Sequence, residues 1–303
     1  MPQLQTDNSK RLITIVLIVV VVVASSGIIA EITASKPTTQ PLPERSEYDP
    51  SKLTADRLTA SGSISPPMQG EFTVLIDASH NNRFQKEDIV PLIRGITEAG
   101  GTIKYLHPSD DFSEQLQSAD AFVVIDPAVQ YTDQEVAEVE QFVNNGGRLL
   151  LLGEPNRRAL TASGFLVTLS TIRSRMDPLA STFGISFGTN YLYNLVNKDG
   201  NYQNILATEG QNAAQAGFTA GGTTVFYTAT KVTAHNGIII RRSMAQTQIS
   251  SLGTMGKFPV AVISENGQVL AVGDSTFISS SRYNVANNEG FIERIVVFLA
   301  GGK

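Results

Sequence analysis

Between Phe72 and Glu154 the chain alternates short, unbroken apolar runs with amphipathic stretches, and few folds accommodate that order. The runs are Phe72–Ile76 (FTVLI), Ala121–Ile125 (AFVVI) and Arg148–Leu152 (RLLLL), with a further strand predicted at Thr102–Leu106. A strand that is apolar at successive positions, rather than at every second one, has both faces covered, as a central strand of a parallel sheet does. Between the runs, Lys86–Ala99 carries Ile89, Leu92, Ile93 and Ile96 at helical spacing, and Pro91 falls where a first turn tolerates it. Phe112–Gln117 has room for a short helix. Thr132 with Glu135 makes a capping box for a helix bearing Val136, Val139, Phe142 and Val143. Gly100-Gly101 and Gly146-Gly147 each stop a helix just before a strand. Connections this short predict a right-handed, doubly wound, mostly parallel α/β sheet.

The second half is less regular. Leu166, Leu169 and Ile172, followed by Met176, Leu179 and Phe183, predict a helix over Leu160–Phe183 that breaks at Gly184. From 185 to 257 Asn, Gly, Gln, Thr and Ala dominate, with β-prone pieces at Thr224–Tyr227 and Gly237–Arg241. This stretch is expected to be an irregular, β-rich insertion or a set of β-hairpins over one edge of the sheet, with Gly210–Gly222 an exposed loop. Order returns with Phe258–Ile263, the hairpin dipeptide Asn266-Gly267, a strand at Val269–Val272, and a closing helix over Asn288–Ala300 stopped by Gly301-Gly302.

Ahead of this domain, which runs from 71 to 303, the run Leu12–Ala30 contains no charged residue. As a helix it rises about 28 Å, close to the hydrocarbon thickness of a bilayer. Lys10 and Arg11 on its N-terminal flank predict residues 1–11 inside, a transmembrane helix at 12–30, and everything beyond it outside the cell membrane. The competing reading is a cleaved signal peptide with its cleavage box at Ala24-Ser25-Ser26; the apolar continuation Ile28-Ile29-Ala30 favours a retained anchor. Residues 31–70 hold Pro37, Pro41, Pro43, Pro50, Pro66 and Pro67 among Ser, Thr and Gln, the composition of an extended stalk.

Composition closes several routes. The chain has no cysteine, which removes disulfides, thiolate metal sites and a cysteine nucleophile. A net charge of -5 argues against a nucleic-acid partner. No Gly-x-Ser-x-Gly elbow is present, and the Gly-Gly pairs lack the lysine and the strand-to-helix setting of a phosphate loop. The sequence assigns no cofactor.

Ligand candidates come from position. Asp77, Asp126, Glu154 and Asp274 each follow an apolar strand, so they gather at one rim of the sheet, where open α/β folds keep their sites. His80 lies three residues past Asp77, with Asn81 and Asn82 beside it, His107 follows the second strand, and Ser275 follows Asp274. Carboxylates with a histidine hold hard cations or an acid/base pair. The competing account is that an Asp after a strand caps a helix or forms a turn on its own backbone. The site set is therefore Asp77, His80, Asn81, Glu154, Asp274 and Ser275, with no catalytic residue assigned. Arg241-Arg242 and Arg173/Arg175 read as solvated charges, and His235-Asn236-Gly237 as a turn into a strand.

Three stretches carry a resemblance: VLIDASHNN, TDQEVAEVEQFVNNGGRLLLLGE and VLAVGDSTFISSSRYNVANNEGFIERIVVFLAGG. They resemble a membrane-anchored family of domains of unknown function whose core is like class I glutamine amidotransferases. Related domains occur in gliding-motility ABC-transport proteins and in an intraflagellar-transport subunit. The resemblance covers Glu71 to Gly302 and implies a flavodoxin-like sheet on a transmembrane anchor. Amidotransferases use a cysteine in the turn after a central strand and a downstream His-x-Glu pair. Here that turn is Asp126-Pro127-Ala128, and neither His107 nor His235 has Glu two residues on. The thiolate attack is chemically excluded, and only the fold carries over.

The sequence thus predicts a non-catalytic, membrane-anchored, extracytoplasmic binding or scaffold domain, an accessory of a membrane or transport complex. The alternative is a metal-assisted hydrolase of a cell-envelope substrate, with the rim carboxylates as ligands and His80 as acid/base. A redox or nucleotide-binding flavodoxin relative ranks behind both, for want of a phosphate loop.

Overall fold

The computed structural model describes residues 70–155, 174–219, 221–247 and 255–301, together with the backbone of 157–163 and 166–172. The apolar run at 12–30 and the stalk up to residue 69 lie outside the described residues. Among those described, no helix is long and apolar enough to cross a membrane.

The chain begins as the alternation requires. Strand β1 (Phe72–Asp77) passes through a 3-10 turn at Lys86–Ile89 into α1 (Val90–Glu98), then β2 (Gly101–Leu106), α2 (Phe112–Gln117), β3 (Ala121–Ile125), α3 (Asp133–Asn144) and β4 (Arg148–Leu152). There follow β5 (Arg157–Ser163), β6 (Leu166–Ile172), α4 (Asp177–Thr182), β7 (Ile185–Tyr193), β8 (Asn204–Glu209), β9 (Thr224–Tyr227), β10 (Thr230–Ala234), β11 (Ile238–Thr247), β12 (Gly256–Ile263), β13 (Val269–Val272) and α5 (Asn288–Leu299).

These elements make a mixed, β-rich α/β fold built on an 11-stranded sheet. Its parallel part has the spatial order β2-β1-β3-β4-β13. Beyond β13 the sheet turns antiparallel through β12, β11, β7 and β10, with β8 joined to β11 and β9 joined to β8. The unbroken apolar runs are explained by cover on both faces. Val74, Ile76, Val123, Ile125, Leu150 and Leu152 pack with Leu92 and Ile96 of α1 and Phe291 and Ile295 of α5. Their neighbours Leu75, Phe122, Val124, Leu149 and Leu151 pack on the other side with Leu116 of α2, Val139 and Val143 of α3 and Leu179 of α4.

The paired glycines divide the work between them. Gly100 and Gly146 adopt φ of +89° and +103°, the left-handed region that ends a helix. Gly101 and Gly147 lie where a Cβ would come within 2.6 Å of Phe72 and 2.4 Å of Phe142. The first residue of each pair turns the chain, and the second lets an aromatic ring close over the turn.

Three expectations are corrected. The stretch expected as a helix over Leu160–Phe183 is the antiparallel pair β5–β6 followed by the short α4. Thr161, Val167, Thr168, Thr171 and Ile172 are β-branched and favour a strand, and the threefold spacing of Leu166, Leu169 and Ile172 is too brief to decide otherwise. The stretch from 185 is β-rich as expected, but β7 to β11 extend the sheet itself rather than lie over its edge. The Gly210–Gly222 loop is not wholly exposed, since a 3-10 turn at Ala213–Ala216 buries Ala213, and Phe218 is buried beyond it.

Candidate functional site

The carboxyl ends of the parallel strands bring the predicted carboxylates to one rim, as two separate networks. Both are buried.

The first network is centred on Asp77 at the end of β1. Its Oδ1 accepts from Ser79 N (3.0 Å) and Ser79 Oγ (2.7 Å), and its Oδ2 accepts from Asn82 Nδ2 (3.0 Å) and Tyr131 Oη (2.5 Å). His80 Nδ1 lies 3.1 Å from both carboxylate oxygens, and Nε2 lies 3.5 Å from Glu135 Oε1. The imidazole is therefore held between two carboxylates, with its ring stacked on Tyr131. Asp77 is 0% and His80 4% exposed.

The electrostatics follow from this placement. Burial pushes the Asp77 carboxyl up, but the hydrogen bond and charge of His80, with Tyr131 and Ser79, outweigh it and hold its pKa below the ordinary value. Burial pushes His80 down, but Asp77 first and Glu135 second outweigh it and raise its pKa. Tyr131 is pushed well up, by burial first and then by the charge of Asp77. Glu135 is also pushed up by burial, yet its bonds from Thr132 and the His80 charge bring it below the ordinary value. The outcome is a buried His80–Asp77 pair in which each partner favours the charged form of the other.

Local sequence builds the pair. Thr132 accepts from Glu135 N while Glu135 Oε2 accepts from Thr132 N at 2.7 Å, so the capping box fixes Glu135 on the first turn of α3, next to β1. Ala128 N and Val129 N both donate to His80 O, and Asn82 Nδ2 donates to Ile125 O, which laces the loop after β1 to the loop after β3.

The second network joins Asp126, Glu154, Asp274 and Ser275, with Thr276. Asp126 sits at φ +41°, a conformation that Asp tolerates better than most residues, and its Oδ1 accepts from Glu154 N at 2.6 Å. Ser275 Oγ lies 2.6 Å from Asp126 Oδ2 and 3.0 Å from Glu154 Oε1, so a single hydroxyl hydrogen ties the two carboxylates together. The Thr276 hydroxyl donates to the same Glu154 oxygen. Asp274 receives Tyr227 N and Thr276 N, each at 2.7 Å. Burial, and then the charge of Glu154, push the Asp274 carboxyl well up, against the pull of those two amides.

Asp77, His80, Glu154, Asp274 and Ser275 are thus all in buried networks. Asn81 is not; it is exposed at φ +51°, and Asn82 holds Asp77 instead. His107 is exposed and turns back on Asp110 through its own N–H. Tyr131 and Thr276, not singled out in the sequence, complete the networks, together with Asn82 and the capping-box residue Glu135. Arg241, expected to be solvated, is fully buried on β11.

Among the described residues no group of three or more His, Cys, Asp and Glu side chains is spaced to hold a metal ion. The cavity beside Glu154, lined also by Ser174, Met176 and Phe187, measures about 40 Å³, room for little more than a water. A cleft of about 700 Å³ lies at the other end of the strands, around Phe72, Asp120 and Arg148, away from the carboxylates.

Comparison with known proteins places the chain among domains without assigned chemistry. A family model described as "Domain of unknown function (DUF4350)" matches residues 96–296. No curated protein matches the chain. Among solved structures, the "mmIFT52 N-terminal domain" superposes with a TM-score of 0.57 at 16% identity, over 75% of this chain and 97% of that one, a likeness of fold alone. A glutamine amidotransferase from Thermotoga maritima gives a TM-score of 0.40 at 10% identity, over 68% of this chain and 76% of that one. A ThuA-like protein from Parabacteroides merdae gives 0.37 at 11%, over 76% and 88%. The last two likenesses are distant and bear no argument about function.

Proposed function

The chain belongs to the DUF4350 family, and from its own geometry we propose that it is a non-catalytic binding or scaffold domain. One observation carries this reading: at the rim where an α/β fold places its chemistry, each predicted acid, base and hydroxyl is committed to another protein group and withdrawn from solvent. A general base needs a free lone pair at a substrate, and both nitrogens of His80 face carboxylates. A serine nucleophile must reach a substrate, and the Ser275 hydroxyl is buried between the two core carboxylates to which it donates. In this reading the rim locks the loops of the sheet together.

The finer architecture supports the same reading. We read the order β2-β1-β3-β4-β13, with helices on both faces, as a doubly wound, flavodoxin-like sheet of the kind the sequence resemblance to class I glutamine amidotransferases implies. Without a cysteine, such a core keeps the shape and loses the reaction. The apolar run Leu12–Ala30 would anchor the domain outside the cell membrane on its proline-rich stalk, as an accessory of a membrane or transport complex.

The test compares cells carrying the full chain with cells carrying His80→Gln or Ser275→Ala. Folded abundance and the membrane proteins that co-purify are measured together. A scaffold predicts that the co-purified set tracks folded abundance in every variant. A variant that folds and assembles normally while an uncleaved envelope substrate accumulates would sink the proposal. A protease added to intact cells should release the domain by cutting between Pro37 and Pro67; release only after lysis would reverse the topology.

A further inference from the structure

The least expected side chain in the molecule is Arg241. It has no exposed surface, and its Nε, Nη1 and Nη2 have no hydrogen-bond partner among the described residues. The opposite charge facing it is Glu209, paired with it across the β8–β11 ladder, whose Oε1 stands 4.0 Å from Nη1. That separation exceeds a hydrogen bond. The same Oε1 is taken by the Gly221 N–H at 2.6 Å. The guanidinium lies over the ring of Phe291, 5.0 Å from its centroid, which favours a cation without satisfying its N–H groups. Burial lowers the pKa of Arg241 to about 10, with the charge of Glu209 opposing, so the side chain is a cation at neutral pH.

A guanidinium presents five N–H donors in a planar fork that matches the oxygens of phosphate or carboxylate. Enclosing that fork without acceptors is costly, and a group of this kind is kept where some state of the molecule supplies them. The segment after β8 packs on β11 and on the aromatic ring beneath Arg241. The 3-10 turn Ala213–Ala216 buries only Ala213, and Phe218 seals the edge against Phe291 and Phe298 at ring separations of 6.3 and 6.1 Å. Gln211, Asn212, Ala214, Gln215 and Gly217 are exposed, and Gly217 takes φ +73° to end the turn. Glu209 is therefore both the anion facing Arg241 and the acceptor that ties down Gly221.

We propose that Arg241 anchors an oxyanion site beneath the Ala213–Phe218 turn, where a ligand's phosphate or carboxylate takes the guanidinium that Glu209 faces but does not engage. The site belongs to the antiparallel part of the sheet and stands or falls independently of the scaffold reading. A purely structural Arg241–Glu209 pair makes the opposite prediction for Glu209. Removing that carboxylate should weaken a structural pair with no remedy, whereas it should leave an oxyanion site more receptive.

The experiment measures thermal unfolding of the full chain in inorganic phosphate, acetate and chloride at matched ionic strength. The proposal expects saturable stabilisation by phosphate or acetate over chloride. Saturation by phosphate alone assigns a phosphate-bearing ligand, and saturation by acetate alone a carboxylate. Glu209→Gln should lower the unfolding temperature in chloride, recover it in the oxyanion, and bind that oxyanion several-fold tighter than wild type. Arg241→Met, which keeps an apolar side chain over Phe291, should lose the response; if it does not fold, Arg241→Lys, which keeps the charge without the fork, should bind several-fold more weakly. Equal stabilisation by chloride, an increment that persists in Arg241→Met, or a Glu209→Gln variant that no oxyanion rescues would each overturn the site.

Discussion

His80 and Tyr131 lie face to face, ring centroids 3.8 Å apart and planes within 19° of parallel, and each turns a polar atom to the carboxylate of Asp77. The stack presses the two rings together while Asp77 draws their polar edges to one point. The hydrogen bonds and the ring face of His80 are both used inside the protein.

Removing one partner should therefore be expensive. Asp77→Ala leaves the His80 imidazole and the Tyr131 hydroxyl buried without their acceptor, and breaking a buried pair in this way costs about 3–5 kcal/mol. Combined with His80→Ala, the loss should fall short of the sum of the single losses by about 1–3 kcal/mol, the coupling expected of residues in one network. Urea unfolding of the four proteins checks this, and additive losses would mean that the pair does not act as a unit.

The pH dependence has a definite sign. The folded pKa of His80 is raised above its unfolded value of about 6.5, so its contribution is whole below that pH and is lost as pH rises through the folded pKa. Asp77 is depressed, so its contribution is whole above about pH 4 and is lost as pH falls through its folded pKa. The pair is worth most between about pH 4 and 6.5. Asp274, raised by burial, loses stability with rising pH in wild type and variant alike, so the difference between wild type and His80→Gln isolates the pair. Urea midpoints should show the wild-type advantage shrinking from neutral toward alkaline pH; an advantage that grows would reverse the assignment.

Glu135 serves α3 and His80 together. Glu135→Gln keeps the shape of the capping box and removes the charge opposite Nε2. The His80 titration, followed by NMR, should move to lower pH in this variant. An unmoved titration would show that Glu135 acts on the helix alone.

Gly273 tests how tightly the rim is closed. A Cβ at this position would lie 2.2 Å from Thr230 O, a backbone atom that cannot swing aside. Gly273→Ala should cost about 1–3 kcal/mol or more, the range for overpacking a filled interior. A melting temperature equal to wild type would show the β10–β13 approach to be looser than described.

Much of this was legible because it is local. The Thr132–Glu135 box and the Gly-Gly stops act over three or four residues, and the structure keeps each of them. The address of Asp77 was legible for the same reason, as the end of an unbroken apolar run. Its partner Tyr131 was not, since it arrives from 54 residues along the chain and only the β1–β3 pairing brings it near. Arg241 was not legible either: register shifts on both sides of it break the alternation of β11, so that Ile240 and Arg241 are buried in succession. In the 157–172 stretch, threefold leucine spacing was weighed above β-branched content, and the backbone pairing reversed that weighting.

The most direct measurement is the NMR titration of His80 in the full chain, alone and with Mg²⁺, Ca²⁺ or Zn²⁺. A structural imidazolium held by Asp77 and Glu135 titrates above about 6.5, with the same midpoint in every metal. A midpoint at or below that value, or one that a metal displaces, would show His80 available for chemistry and would contradict the scaffold account.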